Sequence, residues 1–146
     1  MDPTVRDEVV AGSHYQPHEV LGPHVIDGEV WVRAVKPYAQ SVSVETLDGT
    51  FTAAEESPEL WAARVPGKDA PDYRLHVTWA GTEHVMDDPY RFMPFPGELD
   101  LHLIREGRHE KLWEAVGARA HPLGSVLGDV RGTSFAVWAP NARAVR

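Results

Sequence analysis

The sequence predicts a mainly β protein: an immunoglobulin-like β-sandwich, then a short helical linker, then the truncated start of a second β-module. Three observations predict it. Between residues 29 and 86, about six short strand-like runs are separated by turn signals, the spacing of a sandwich. No helical period interrupts them before Asp88, so a parallel α/β sheet would lack its crossover helices. From residue 98 to 116 the chain turns to helix formers. A proline-rich arm (88–97) precedes them, and Gly and Pro follow them before a new apolar run at 133–139.

Taken in order, residues 1–13 show few core-forming side chains and no period, and 1–15 is expected to be a flexible N-terminus. Pro17, Gly22, Pro23 and Gly28 then break the chain, and Asp27-Gly28 reads as a hairpin turn. Residues 29–35 are the first strand. Residues 36–40 turn the chain into a second strand, 40–47, with Val42, Val44 and Thr46 on one face and Ser41, Ser43 and Glu45 on the other. Asp48-Gly49 closes a hairpin into 50–54. Residues 55–59 read as polar connection, 60–65 as a strand and 66–72 as a loop. Residues 73–80 form the cleanest strand, with Tyr73, Leu75, Val77 and Trp79 opposite Arg74, His76 and Thr78. Gly81-Thr82 turns it into 83–86.

The sandwich domain is assigned to 16–97 and the helical linker to 98–123. Leu99 and Leu103, with Leu101 or Ile104, are expected to face a core, and Gly107 to break the helix. A second short helix, 108–116, presents Leu112, Trp113 and Val116. The second module is assigned to 124–146, where 133–139 reads as a first strand and 143–146 as the start of another. A lone strand pair cannot bury its own face, so the chain is expected to be a piece of a longer protein.

Composition narrows the function. With 14 Lys and Arg against 22 Asp and Glu, the net charge of −8 disfavours nucleic acid and anionic membranes, which need clustered cations. A neutral sugar is not disfavoured. Cysteine is absent from the sequence, which excludes disulfides, thiolate nucleophiles and cysteine-ligated metals. No run reaches the apolar length of a membrane span, and "MDPTVRDEVV" lacks the basic start and apolar run of a signal peptide. A cytoplasmic location is compatible with all of this.

The junction carries a family resemblance. "DPYRFMPFPGELDLHLIREGRHEKLWEAVGA" (88–118) resembles the linker of bacterial 1,4-α-glucan (glycogen) branching enzymes. "GTSFAVWAPNARAVR" (132–146) is similar to the start of the family 48 carbohydrate-binding module that follows it there. "HEVLGPH" (18–24) and "VRAVKPYAQSVSV" (32–44) resemble the first accessory domain of the same enzymes. "VWAPNA" alone also occurs in debranching enzymes and trehalose-releasing hydrolases, whereas the order "DPYRF", "GELDLHL", "EGRHEKLWE" is more specific. The stretch "VGARAHPLG" (116–124) departs from the family's compact "LGAH". The resemblance implies a parent with two N-terminal β-sandwiches, a catalytic (β/α)-barrel and a C-terminal β-domain. That parent cuts an α-1,4-glucan chain and transfers it to a 6-hydroxyl, making an α-1,6 branch. The implied role here is non-catalytic: to position the missing barrel, an intramolecular partner, and to influence the chain length transferred. The alternatives are a free α-glucan-binding module, or an accessory module of a debranching or trehalose-releasing hydrolase.

No position matches the family's barrel motif, so no catalytic residue is assigned and no cofactor is implied. Retaining glycosyl transfer needs two carboxylates flanking the scissile bond. The adjacent pairs Asp87-Asp88 and Glu55-Glu56 read instead as turn and surface residues. His14/His18 and His102/Glu106/His109 lack a metal-binding spacing, and no metal site is assigned. Parity places Tyr73, Trp79 and Trp61 in the core. Trp31 lies on the face of Glu29 and Arg33, opposite Val30, Val32 and Ala34. It is the one candidate platform for α-1,4-glucan or glycogen, because sugars stack their apolar faces on exposed rings. The competing reading is that the arm covers that face. Trp113 is expected to pack against the sandwich, and Trp138 to belong to the second module.

Overall fold

A computed structural model describes residues 1–123, 127–128 and 130–145. Eight strands form the sandwich: β1 (Gly22–Ile26), β2 (Glu29–Val35), β3 (Ser41–Thr46), β4 (Gly49–Thr52), β5 (Ala54–Ser57), β6 (Leu60–Val65), β7 (Arg74–Trp79) and β8 (Thr82–Met86). They make two four-stranded antiparallel sheets, ordered β1-β2-β6-β5 and β4-β3-β7-β8. Hairpins stay within a sheet and every intervening connection changes sheet. This is the immunoglobulin order, with β1, β2, β6 and β5 in one layer facing β3, β7, β8 and an added edge strand β4.

The alternation seen in sequence sets which side chains meet. Val30, Val32 and Ala34 of β2, Trp61, Ala63 and Val65 of β6, Val42 and Val44 of β3, and Leu75 and Val77 of β7 point between the layers. Together with Tyr73 they form one buried cluster. Turn chemistry sets the registers. Asp27 and Gly28 both take left-handed backbone (φ +52° and +80°), the geometry of a two-residue hairpin, and Ile26 pairs with Glu29. Two other hairpins sit one residue earlier than expected. Thr46 pairs with Gly49, which centres the turn on Leu47-Asp48, and Trp79 pairs with Thr82, which centres it on Ala80-Gly81.

Three local expectations are corrected. The start of the chain holds a helix, α1 (Pro3–Val10), with the Asp2 carboxylate accepting the Thr4 N–H at 2.7 Å and Pro3 in the first turn. Its Val9 is buried in a second cluster with Val20, Leu21 and Leu60 on the outer side of the first sheet. The polar segment expected to connect strands is edge strand β5, whose pairing with β6 is irregular between Glu55 and Ser57. From Gly117 the chain forms a hairpin where a broken exit was expected: β9 (Gly117–Leu123) pairs with β10 (Val130–Ala136), which begins before the first strand expected at 133–139.

The chain divides into two compact units, Met1–Phe92 with Leu127 and Gly128, and the remaining described residues from Met93 onward. The second unit holds α2 (Glu98–Arg105), which ends before Gly107 at φ +66°, the one-turn helix α3 (Leu112–Ala115), and the β9–β10 hairpin. Leu99 is exposed rather than core-facing, and α3 is shorter than the stretch 108–116 expected for it. Trp113 is 65% exposed, and Phe135 and Trp138 are exposed too. Arg143, Ala144 and Val145 carry no strand. Gly124, the expected start of the second module, and Arg146 lie outside the described residues.

Candidate functional site

Trp31 lies on the outer face of the first sheet, where the pleat puts it beside Arg33 and opposite the buried Val30 and Val32. Its cross-strand neighbours are His24 on β1 and Arg64 on β6. Each surrounding polar group already has a partner. Arg64 pairs with Glu29, and His24 Nε2 lies 3.2 Å from the Leu21 carbonyl. Arg33 forks onto Glu56, with Nε and Nη2 donating at 2.8 and 3.0 Å. The ring is partly buried. An open depression of about 320 Å³ lies between Gly28, Glu29, Phe51, Arg64 and Pro66, and Trp31 is not among the residues that line it. The cover over this face is not what the sequence suggested. Val9, Val20, Leu21 and Tyr90 gather over the Val35 and Leu60 end, so helix α1, the residues just before β1 and one arm residue share the task.

The first part of the arm is a buried clasp. Asp88 is 1% exposed, which corrects its reading as a surface residue. Its Oδ2 accepts the Tyr73 hydroxyl at 2.7 Å and its Oδ1 accepts the Tyr90 N–H at 3.2 Å. Burial, and next the charge on Asp88, push the Tyr73 phenol far above its usual range, so it remains a donor. The Arg91 side chain is equally hidden, at 1% exposed, with Nε 3.1 Å from Asp72. Its Nη1 donates to Asp87 at 2.9 Å and to the Tyr73 carbonyl, and its guanidinium lies over Phe92. Two carboxylates and a carbonyl thus compensate a buried cation, the condition for keeping one inside. Gly22 makes room: a Cβ there would lie 2.3 Å from the Tyr90 carbonyl oxygen. An acidic N-cap followed by proline (Asp88-Pro89) is the sequence signal that marks this turn.

The other candidates fall apart spatially. Glu56 is tied to Arg33, and Asp87 also lies 3.5 Å from Arg74. His14 meets Glu8, whereas His18 packs edge-on against Tyr90. His102 meets Glu106 at 3.4 Å, and His109 meets Asp100 at 2.9 Å. Among the described residues, no three His, Asp or Glu side chains converge to hold a metal ion. Trp61 is core as parity indicated, and Trp79 packs at the core's edge. No described helix is long and apolar enough to cross a membrane.

A family model described as "alpha-1,4-glucan branching enzyme GlgB, N-terminal domain" matches residues 2–90. Three relatives, each a 1,4-alpha-glucan branching enzyme GlgB, align over almost all of this chain. The Thermobifida fusca protein is 52% identical over 96% of this chain and 19% of its own length. One from Streptomyces avermitilis is 49% identical over 99% and 17%, and one from Mycobacterium tuberculosis 44% over 99% and 20%. The chain therefore spans about a fifth of the length of the curated relatives it matches. By the extent of the family match and the level of identity, this chain belongs to the N-terminal-domain family of the α-1,4-glucan branching enzymes GlgB.

Proposed function

We propose that the chain is the non-catalytic N-terminal module of a longer, cytoplasmic branching enzyme. That enzyme transfers α-1,4-glucan segments to a 6-hydroxyl in glycogen synthesis. The module positions the catalytic barrel and influences the chain length transferred. One observation carries the reading: identity of 44–52% runs through nearly the whole chain, yet covers only 17–20% of the relatives. Two features of the chain support it. The Asp88–Arg91 clasp holds the arm against the sandwich and so fixes the direction in which the chain leaves it. Exposed Leu99, Trp113, Phe135 and Trp138 in the second unit call for further chain to cover them. Trp31, partly exposed on the outer face of the first sheet, is proposed as a contact for α-1,4-glucan.

Deleting Met1–Phe92 from the longer enzyme tests the proposal. The expected result is continued branching of amylose at constant reducing ends, with an altered distribution of branch lengths. An unchanged distribution would overturn the positioning role, and rising reducing ends would mark a hydrolase.

A further inference from the structure

The described residues include four non-glycine residues with left-handed backbone: Asp27, Tyr38, Glu59 and Ala80. Asp27 sits at one end of the sandwich, in the β1–β2 turn. The other three crowd the opposite end, in the β2–β3, β5–β6 and β7–β8 connections. Side chains other than glycine, asparagine and aspartate rarely adopt this backbone, and such outliers persist where surrounding structure holds them.

The three turns are tied together. The Lys36 N–H donates to the Glu59 carbonyl at 2.8 Å. The Trp79 indole donates to the Pro37 carbonyl at 2.8 Å, and the Gly81 N–H to Gln40 Oε1 at 2.7 Å. Within the first turn, the Ala39 N–H reaches the Lys36 carbonyl at 3.3 Å, with Pro37 and then Tyr38 (φ +59°) at the centre. That is a type II turn, whose third position is ordinarily glycine. Here it carries a tyrosine that is 88% exposed. A large ring has therefore been placed on unfavourable backbone, in water, on a braced support. Nothing in the core requires it.

We propose that Tyr38 is a stacking platform for an α-1,4-glucan chain, at the end of the sandwich built by the β2–β3 and β7–β8 turns. The inference rests on reading the chain as a module of a glucan-handling enzyme. It is a different surface from that of Trp31, which faces outward from the first sheet. The chemistry favours sugar over protein. The ring is 88% exposed and belongs to neither buried apolar cluster, with the polar Lys36 and Gln40 in the same turn, whereas protein interfaces are anchored in desolvated apolar cores. A pyranose offers one apolar face to a ring and hydroxyls to such polar neighbours. Loops at one end of an immunoglobulin sandwich are also where a rigid scaffold commonly presents ligand-contacting side chains.

Titration of the chain with maltoheptaose, followed by backbone NMR, tests it. The expected response is saturable shifts at residues 37–40 and 79–82 and at the Trp79 indole. Tyr38→Phe keeps the ring and should keep the response. Tyr38→Gly should weaken half-saturation about ten-fold while leaving the melting temperature equal or higher, since glycine suits the turn. A lower melting temperature for Tyr38→Gly would make Tyr38 a structural residue and overturn the proposal. Shifts confined to the surroundings of Trp31 would overturn it while leaving glucan binding intact. A sugar response untouched by Tyr38→Gly, with a change in sedimenting mass instead, would make the site a protein contact. No response at millimolar sugar would overturn the platform, yet leave the positioning role, tested by deletion, standing.

Discussion

At the residue scale, the most consequential bond is the one between Tyr73 and Asp88. The Tyr73 ring fills the core at 0% exposed, and its hydroxyl is the donor that Asp88 meets in a site closed to water. Tyr73→Phe keeps the ring's volume and removes only that donor. The carboxylate is then left buried with the Tyr90 N–H as a donor and no hydroxyl. Leaving such a group under-satisfied costs about 2 kcal/mol, so the variant should unfold at lower denaturant with an unchanged slope. An equal midpoint would mean that water replaces the hydroxyl. Leu75→Ala removes buried methyl groups instead, and should cost about 3 kcal/mol. The sequence displayed half of this pair. Parity put Tyr73 in the core, because Leu75, Val77 and Trp79 share its face. Nothing about an Asp-Asp pair next to a proline says that the second carboxylate is buried, since that depends on which phenol the fold brings to it.

At the element scale, the outer face of the second sheet is stapled by a histidine. Its ring nitrogens face Glu45 of β3 at 3.0 Å and Glu83 of β8 at 3.4 Å, with His76 on β7 between them. The hydrogen bond to Glu45 is the largest cause holding the imidazole pKa above its usual value. The sign follows from linkage. A raised folded pKa contributes stability that is fully present below the unfolded value of about 6.5 and is lost as pH rises through the folded value. The melting temperature should therefore fall on going from mildly acidic to mildly alkaline buffer, and His76→Gln should flatten that slope. Identical slopes would show that the staple carries no weight.

Legibility divides along the same lines of force. Strands β2, β3, β6 and β7 were readable because alternation is a local signal of a half-buried pleat. β5 was not, since Ala-Glu-Glu-Ser has weak strand propensity and gains its place by pairing with β6. Helix α1 was missed although Asp2-Pro3 is a start signal, because its eight residues carry only three valines and their burial requires Leu60 from a distant strand. Trp31 was correctly placed on the outer face, but its neighbours His24 and Arg64 follow from register, which single-strand periodicity does not give. Residues 36–40 signal a turn in sequence, but the left-handed backbone at Tyr38 has no local signal, since that position of the turn ordinarily carries glycine.

At the scale of the whole molecule, the distribution of buried apolar surface is uneven. Among the described residues, every buried apolar side chain except Ala115 lies within Met1–Phe92. That stretch also contains both four-stranded sheets, both apolar clusters and the complete clasp from Asp72 to Arg91. The stretch beyond it has two short helices and a two-stranded hairpin, and a hairpin alone is marginal in water. Hydrophobic burial is the main term opposing chain entropy, so stability should follow it. A fragment ending at Phe92 should melt cooperatively within a few degrees of the whole chain, and one starting at Met93 should show no cooperative transition. Calorimetry on the two fragments decides. An unfolded first fragment would mean that the second unit completes the sandwich. A folded one would give a sandwich that carries its own exit geometry, because the clasp ends at Arg91 and needs nothing downstream to close. Positioning would then be a property of the module itself: weakening the clasp through Tyr73→Phe in the longer enzyme should alter branch lengths in the same direction as deleting Met1–Phe92, only less.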